Sequence, residues 1–129
     1  MNPSRHLRIL AVLAVVFGAL TLFSGGRALF GGPQAQAAVG NAVGFVLWFN
    51  FLAGFAYVLA GAGLWLGRRW AVAGAGLLAL ATSLVALAFG LHIMTGGAYE
   101  TRTVGALTLR LAFWALVFVM ARRALKPAP

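Results

Sequence analysis

Long apolar runs alternate with short polar breaks along this chain. Apolar residues fill about 7–23, 44–66, 70–94 and 104–121. The stretch LLALATSLVALAF, residues 77–89, lacks the every-second-residue alternation of a membrane β-strand. A run of about 20 apolar residues crosses the hydrocarbon core of a bilayer as a helix. Inside that core, backbone groups must be satisfied within the segment itself. The pattern therefore predicts an all-α membrane protein: one integral domain over 1–129, folded as an antiparallel four-helix transmembrane bundle.

Charge sets the expected direction of each crossing. Arg5 and Arg8 precede the first run, Arg68 and Arg69 separate the second from the third, and Arg122, Arg123 and Lys126 follow the fourth. With four crossings these seven fall on one side, leaving Arg27, Arg102 and Arg110 for the other. Basic residues stay cytoplasmic. Both termini are thus expected inside, in a multi-pass protein of the cell inner (plasma) membrane, with outer loops near 24–43 and 95–103. Trp48, Trp70 and Tyr99 fall near the expected interfaces, as aromatic belts do.

Composition narrows the choice further. The chain is 63% hydrophobic and 9% charged, whereas soluble domains carry about 25% charged residues. Its net charge of +9 is spread in ones and twos between apolar runs, so no basic stripe for nucleic acid is expected. Cysteine is absent, which excludes disulfides, thiolate metal sites and thiol redox chemistry. The basic, apolar start resembles a signal peptide, and AQA at 35–37 resembles a cleavage site. That tripeptide lies a dozen residues past the apolar run, too far for cleavage to be expected.

Small residues predict how the helices pack, because lipid tails are as apolar as leucine and close approach is what favours association. The second run carries Ala53, Ala56, Ala60, Gly63 and Gly67 at steps of three and four, which is one helical face. The third carries Ala75, Ala79, Thr82, Ala86 and Gly90. These two lines are expected to face each other across the Gly67–Arg68–Arg69 connection. Trp48, Phe51 and Phe55 lie on the opposite side of the second run, suited to lipid or to a partner subunit.

Glu100 is the only acidic residue among 129. At 1.5 Å per residue, Arg110 lies about 10 Å below the outer end of a helix starting at 104. An arginine near the centre of a membrane helix costs roughly 2.5–3.5 kcal/mol on insertion scales. Arg110 points its side chain toward the helix N-terminus, so a carboxylate at Glu100 would offset that cost through a charge-assisted bond. Asn50, His92, Glu100, Arg102 and Arg110 are expected at one level on the outer side, with Trp114 supporting Arg110 one turn deeper. Thr103 is a candidate N-cap for the fourth helix, and Gly96 and Gly97 a C-terminal stop for the third.

His92 and Met94 suggest copper(I), which favours imidazole and thioether, but one of each is an incomplete set. His6 and His92 fall on opposite faces, which precludes bis-histidine haem ligation. No metal or cofactor is expected. The absence of Asp excludes a Ser–His–Asp set, and a single Glu excludes a carboxylate pair. In size and helix count the chain is similar to small four-helix inner-membrane proteins of bacteria. Small multidrug transporters and fluoride channels share the size. Their carboxylate in the first helix and their Gly/Asn/Phe pattern are not evident here.

Three functions fit these residues. The leading expectation is an interaction or accessory module, in a homo-oligomer or a larger membrane complex. The alternative is a small oligomeric transporter or channel for an anion or small metabolite using Arg110. The third is an outer-leaflet ligand or metal site built on His92, Glu100 and Arg110. The cysteine-free sequence makes the topology directly testable. A single cysteine at Thr101 should react with a membrane-impermeant thiol reagent added outside, and one at Arg123 only after lysis. The reverse pattern would invert the orientation.

Overall fold

The computed structural model describes residues 3–125, with side chains from residue 5 onward, and is all-helical over that range. Lys126 and Met1 lie outside the described residues. Five helices follow in order: α1 Pro3–Phe30, α2 Pro33–Val39, α3 Gly44–Trp65, α4 Trp70–Met94 and α5 Thr101–Ala124. Four of them, over Arg5–Phe30, Gly44–Trp65, Trp70–Met94 and Thr101–Ala124, are long and apolar enough to cross a membrane.

The helices stop for identifiable reasons. At the end of α3, Gly67 takes φ 70°, Arg68 N donates to Gly63 O at 2.8 Å and Gly67 N donates to Leu64 O at 3.1 Å. The end of α4 repeats this: Gly96 takes φ 87°, Gly97 N donates to His92 O at 2.9 Å and Gly96 N donates to Ile93 O at 3.0 Å. Both are Schellman stops, which use a left-handed glycine to satisfy the last carbonyls. Two boundaries differ from the sequence expectation. α1 runs on through Gly25, Gly26 and Arg27 to Phe30, and the segment 24–43, expected as a loop, contains α2, entered through Pro33 and packed on α1. α5 begins three residues before 104, with Glu100 at its N-cap position and no side-chain cap. Thr103, the expected cap, sits within the helix.

Close packing centres on α1 against α3, which is more extensive than α3 against α4. A Cβ on Gly54 would meet Leu22 and the Gly18 carbonyl, and one on Gly61 would meet Val15 and the Ala11 carbonyl. These glycines let the two backbones approach. Of the small residues singled out on α3, Ala53, Ala60 and Gly63 are buried and Ala56 is half-buried. Gly63 faces Trp70 and Ala71 beside the turn. That is where the α3 and α4 lines meet; beyond it α3 turns its glycines to α1. On α4, Ala75 is buried, Ala79 and Gly90 are half-buried, and Gly90 faces open space.

Two apolar clusters result. The larger gathers Leu10, Ala14, Tyr57, Leu64, Ala75 and Trp114 with their neighbours; the smaller joins Val43, Val46, Phe89 and Leu107. On α5, Arg110 falls between Leu107 of the smaller cluster and Trp114 of the larger. On α3, Asn50 falls between Val46 and Tyr57 in the same way. A polar level therefore interrupts the core. Gly61→Val should destabilise the protein by about 1–3 kcal/mol through overpacking, whereas Gly90→Ala should be neutral or stabilising. Thermal unfolding in detergent checks both, and equal effects would contradict the packing described.

Candidate functional site

The polar level opens to a cavity of about 190 Å³ beneath the α1–α3 and α4–α5 connections, lined among others by Ser24, Asn50, Glu100, Arg102, Thr103 and Arg110. Each helix except α4 positions part of it. Ser24 comes from α1, one turn beyond Thr21. Asn50 comes from the second turn of α3. Arg110 lies nine residues into α5, roughly 14 Å below its start at 1.5 Å per residue.

Arg110 turns inward and is half-buried. Its guanidinium carbon sits 5.2 Å from the centre of the Phe17 ring, within cation–π range. Nη2 donates to Thr21 Oγ1 at 3.4 Å and Nη1 donates to Ala106 O at 3.4 Å. Both are longer than the usual 2.7–3.2 Å. Nε makes no hydrogen bond of ordinary geometry, and the Tyr57 hydroxyl lies within reach of the same guanidinium. A guanidinium offers five N–H donors, so this one is poorly satisfied for its depth.

Glu100 does not supply the direct pairing expected for Arg110. Its Oε1 instead accepts from Asn41 N at 2.8 Å. Gly40 takes φ 61° beside it, and a Cβ there would run into the carboxylate. Arg102 adds a long bond, Nη2 to Ala38 O at 3.5 Å. The start of α5 is thereby tied to the segment between α2 and α3. The lone acid anchors the chamber's roof and remains on its wall.

His92 stands apart from the chamber. Its Nε2–H donates to Ala98 O at 2.8 Å, and its ring meets Phe45 edge-on at 6.3 Å. It shapes the turn that carries Glu100, while Met94 is exposed. The structure thus brings four of the five expected residues, Asn50, Glu100, Arg102 and Arg110, to one cavity and places His92 in its support.

Thr21, Ser24 and Asn41 were not foreseen. Thr21 and Ser24 had a faint signal, two hydroxyls three residues apart in the first helix. Asn41 acts through its backbone, which no side-chain pattern reveals. No known family model, curated protein or solved structure matches this chain.

The Asn41–Glu100 bond yields a direct check. Glu100→Ala should speed hydrogen exchange across residues 33–43 by roughly tenfold, the scale of one lost charge-assisted bond. Glu100→Gln, which keeps an acceptor, should change it little. Unaltered exchange in the alanine variant would show that the bond does not hold the roof.

Proposed function

We propose that the chain is a multi-pass inner-membrane protein whose working part is an outward-opening chamber that takes up a compact anionic group at Arg110. The bundle is antiparallel with both termini cytoplasmic, a topology supported by the placement of seven of the ten basic residues. One observation carries the functional reading: an under-satisfied guanidinium on the wall of a cavity that also holds Asn50 and Arg102. A structural arginine needs partners enough to repay its desolvation. Arg110 has two long bonds and a donor to spare.

Size and charge constrain the ligand. The volume of about 190 Å³ suits about six waters at ~30 Å³ each and falls below the ~300–1,000 Å³ typical of drug-sized sites. Two arginines face one carboxylate there, which favours an anion. The transporter or channel alternative moves ahead of the accessory module on this ground.

The accessory reading retains its own observation. Phe30, Trp48, Phe51 and Phe55 form an edge-to-face ladder with centroids 5.5–6.3 Å apart on the bundle surface. A second copy or a larger membrane complex would use that face.

Calorimetry on the detergent-solubilised protein separates the two. Nitrate, acetate and oleate are the probes. At least one should bind the wild type, and Arg110→Leu should weaken it at least a hundredfold while leaving the oligomer mass unchanged. Absence of binding, together with loss of an oligomer on Phe51→Ala, would replace the chamber with the aromatic face as the working part.

A further inference from the structure

A second hollow lies apart from the chamber, in the cleft where α1 and α3 pass each other near the α3–α4 turn. It is a groove of about 500 Å³ whose exposed lining is wholly apolar. Ala11, Val12 and Val16 line it from α1, and Gly61, Ala62 and Trp65 from α3. Gly61 is its cause. Val15 and the Ala11 carbonyl occupy the space that a Cβ at Gly61 would need, so the backbones close up and the larger side chains stand out as walls. Val12, Val16 and Trp65 are each half-exposed.

Both helices are long and apolar enough to cross a membrane, so an open cleft between them meets acyl chains. Its volume lies within the ~300–1,000 Å³ typical of ligand pockets. Apolar fit alone selects nothing there, because a lipid tail gains no hydrophobic driving force by leaving other lipid tails. Selection has to come from the end of the groove.

That end is basic. The Arg8 guanidinium carbon lies 5.0 Å from the centre of the Trp65 ring, within cation–π range. Trp65 is thus both a wall of the groove and the platform for a cation. Arg8 is four residues before Val12, and Arg5 is three before Arg8, so all three share one face of α1. On the other wall Leu66 is followed, after Gly67, by Arg68 and Arg69. Arg5, Arg8, Arg68 and Arg69 are all exposed. The one acidic residue of the chain, Glu100, accepts from Asn41 N beyond the far end of α4, roughly 35 Å away at 1.5 Å per residue. No acidic side chain reaches these four arginines, and their counter-charge comes from another molecule.

We propose that the groove seats one acyl chain of an anionic phospholipid and that Arg8 holds the lipid's phosphate. The guanidinium fork matches phosphate oxygens bidentately, and the Trp65 ring keeps it at the groove's end. Arg5, Arg68 and Arg69 add attraction for a headgroup of net negative charge. A zwitterionic headgroup carries its own cation and gains less. The groove shares no lining residue with the chamber, so either site can fail without the other.

Native mass spectrometry of the full-length protein in mild detergent, titrated with palmitoyl-oleoyl phosphatidylglycerol or palmitoyl-oleoyl phosphatidylcholine, tests the site, since the two lipids differ only in headgroup. The wild type should bind the anionic lipid at least fivefold more tightly. Arg8→Gln should lower that preference about fivefold, the scale of one basic residue at an anionic lipid surface, and leave phosphatidylcholine binding as it was. Arg123→Gln, an equal loss of charge on α5 outside the groove lining, should keep the preference. Ala62→Trp, which fills the groove from an exposed position, should weaken both lipids. Thermal unfolding checks that each variant keeps its fold. Equal affinity for the two lipids in the wild type, or a preference untouched by Arg8→Gln, overturns the proposal. So does an equal fall in Arg8→Gln and Arg123→Gln, which would assign a diffuse basic collar. Lipid binding unaffected by Ala62→Trp overturns the acyl seat, and a dimer mass lost in that same variant would give the groove to a second copy of this chain.

Discussion

A guanidinium roughly 14 Å down a membrane helix must find its hydrogen-bond acceptors within the protein, and the arrangement around Arg110 follows from that need. Thr21 faces it from α1, and the Phe17 ring lies against its flat face. The two apolar clusters lie on either side of its level along the bundle. α1 and α3 approach through Gly18, Gly54 and Gly61, which brings Phe17, Thr21 and Tyr57 within reach of one arginine on α5. The glycine seam thus serves packing and also defines the walls of the polar level.

Above that level the two connections form one roof. α2, the Gly40 turn and the start of α5 are joined by the Glu100 carboxylate on Asn41 and by Arg102 on Ala38. Bound to the Asn41 N–H, the carboxylate stays beside the chamber without pairing with Arg110. An acid placed directly on Arg110 would have used up the donors that remain free.

Much of the fold was legible because its physics is written in long runs. Bilayer thickness dictates apolar lengths, so four spanning helices could be read from hydropathy, and the limits of α4 followed from the Arg–Trp and Met–Thr–Gly–Gly punctuation. α1 was read short because Gly25, Gly26 and Arg27 look like a break, yet glycines inside a packed helix are tolerated where a neighbour presses close, as Phe51 does on Gly25. The α1–α3 approach was missed because Gly54 and Gly61 are seven apart and the sequence offered a longer line on the adjoining face. At the site, depth counting brought Asn50, Glu100, Arg102 and Arg110 to one level. It could not say that Glu100 would bind a backbone amide, since that depends on a positive-φ turn at Gly40 and on how two loops meet. Nor could it say that the His92 imidazole would close its own turn on Ala98 rather than line the chamber.

Under the proposed function the chamber is open to the outside and carries a positive bias from Arg110. Ser24 lines it and the protein has no native cysteine, so Ser24→Cys reports on it directly. The rates of modification by a negatively and a positively charged thiol reagent of equal size, added outside, are the measurement. Faster reaction with the negative reagent is expected, and loss of that preference when Arg110→Leu is combined with Ser24→Cys. No modification from outside, or the same preference without Arg110, would contradict it.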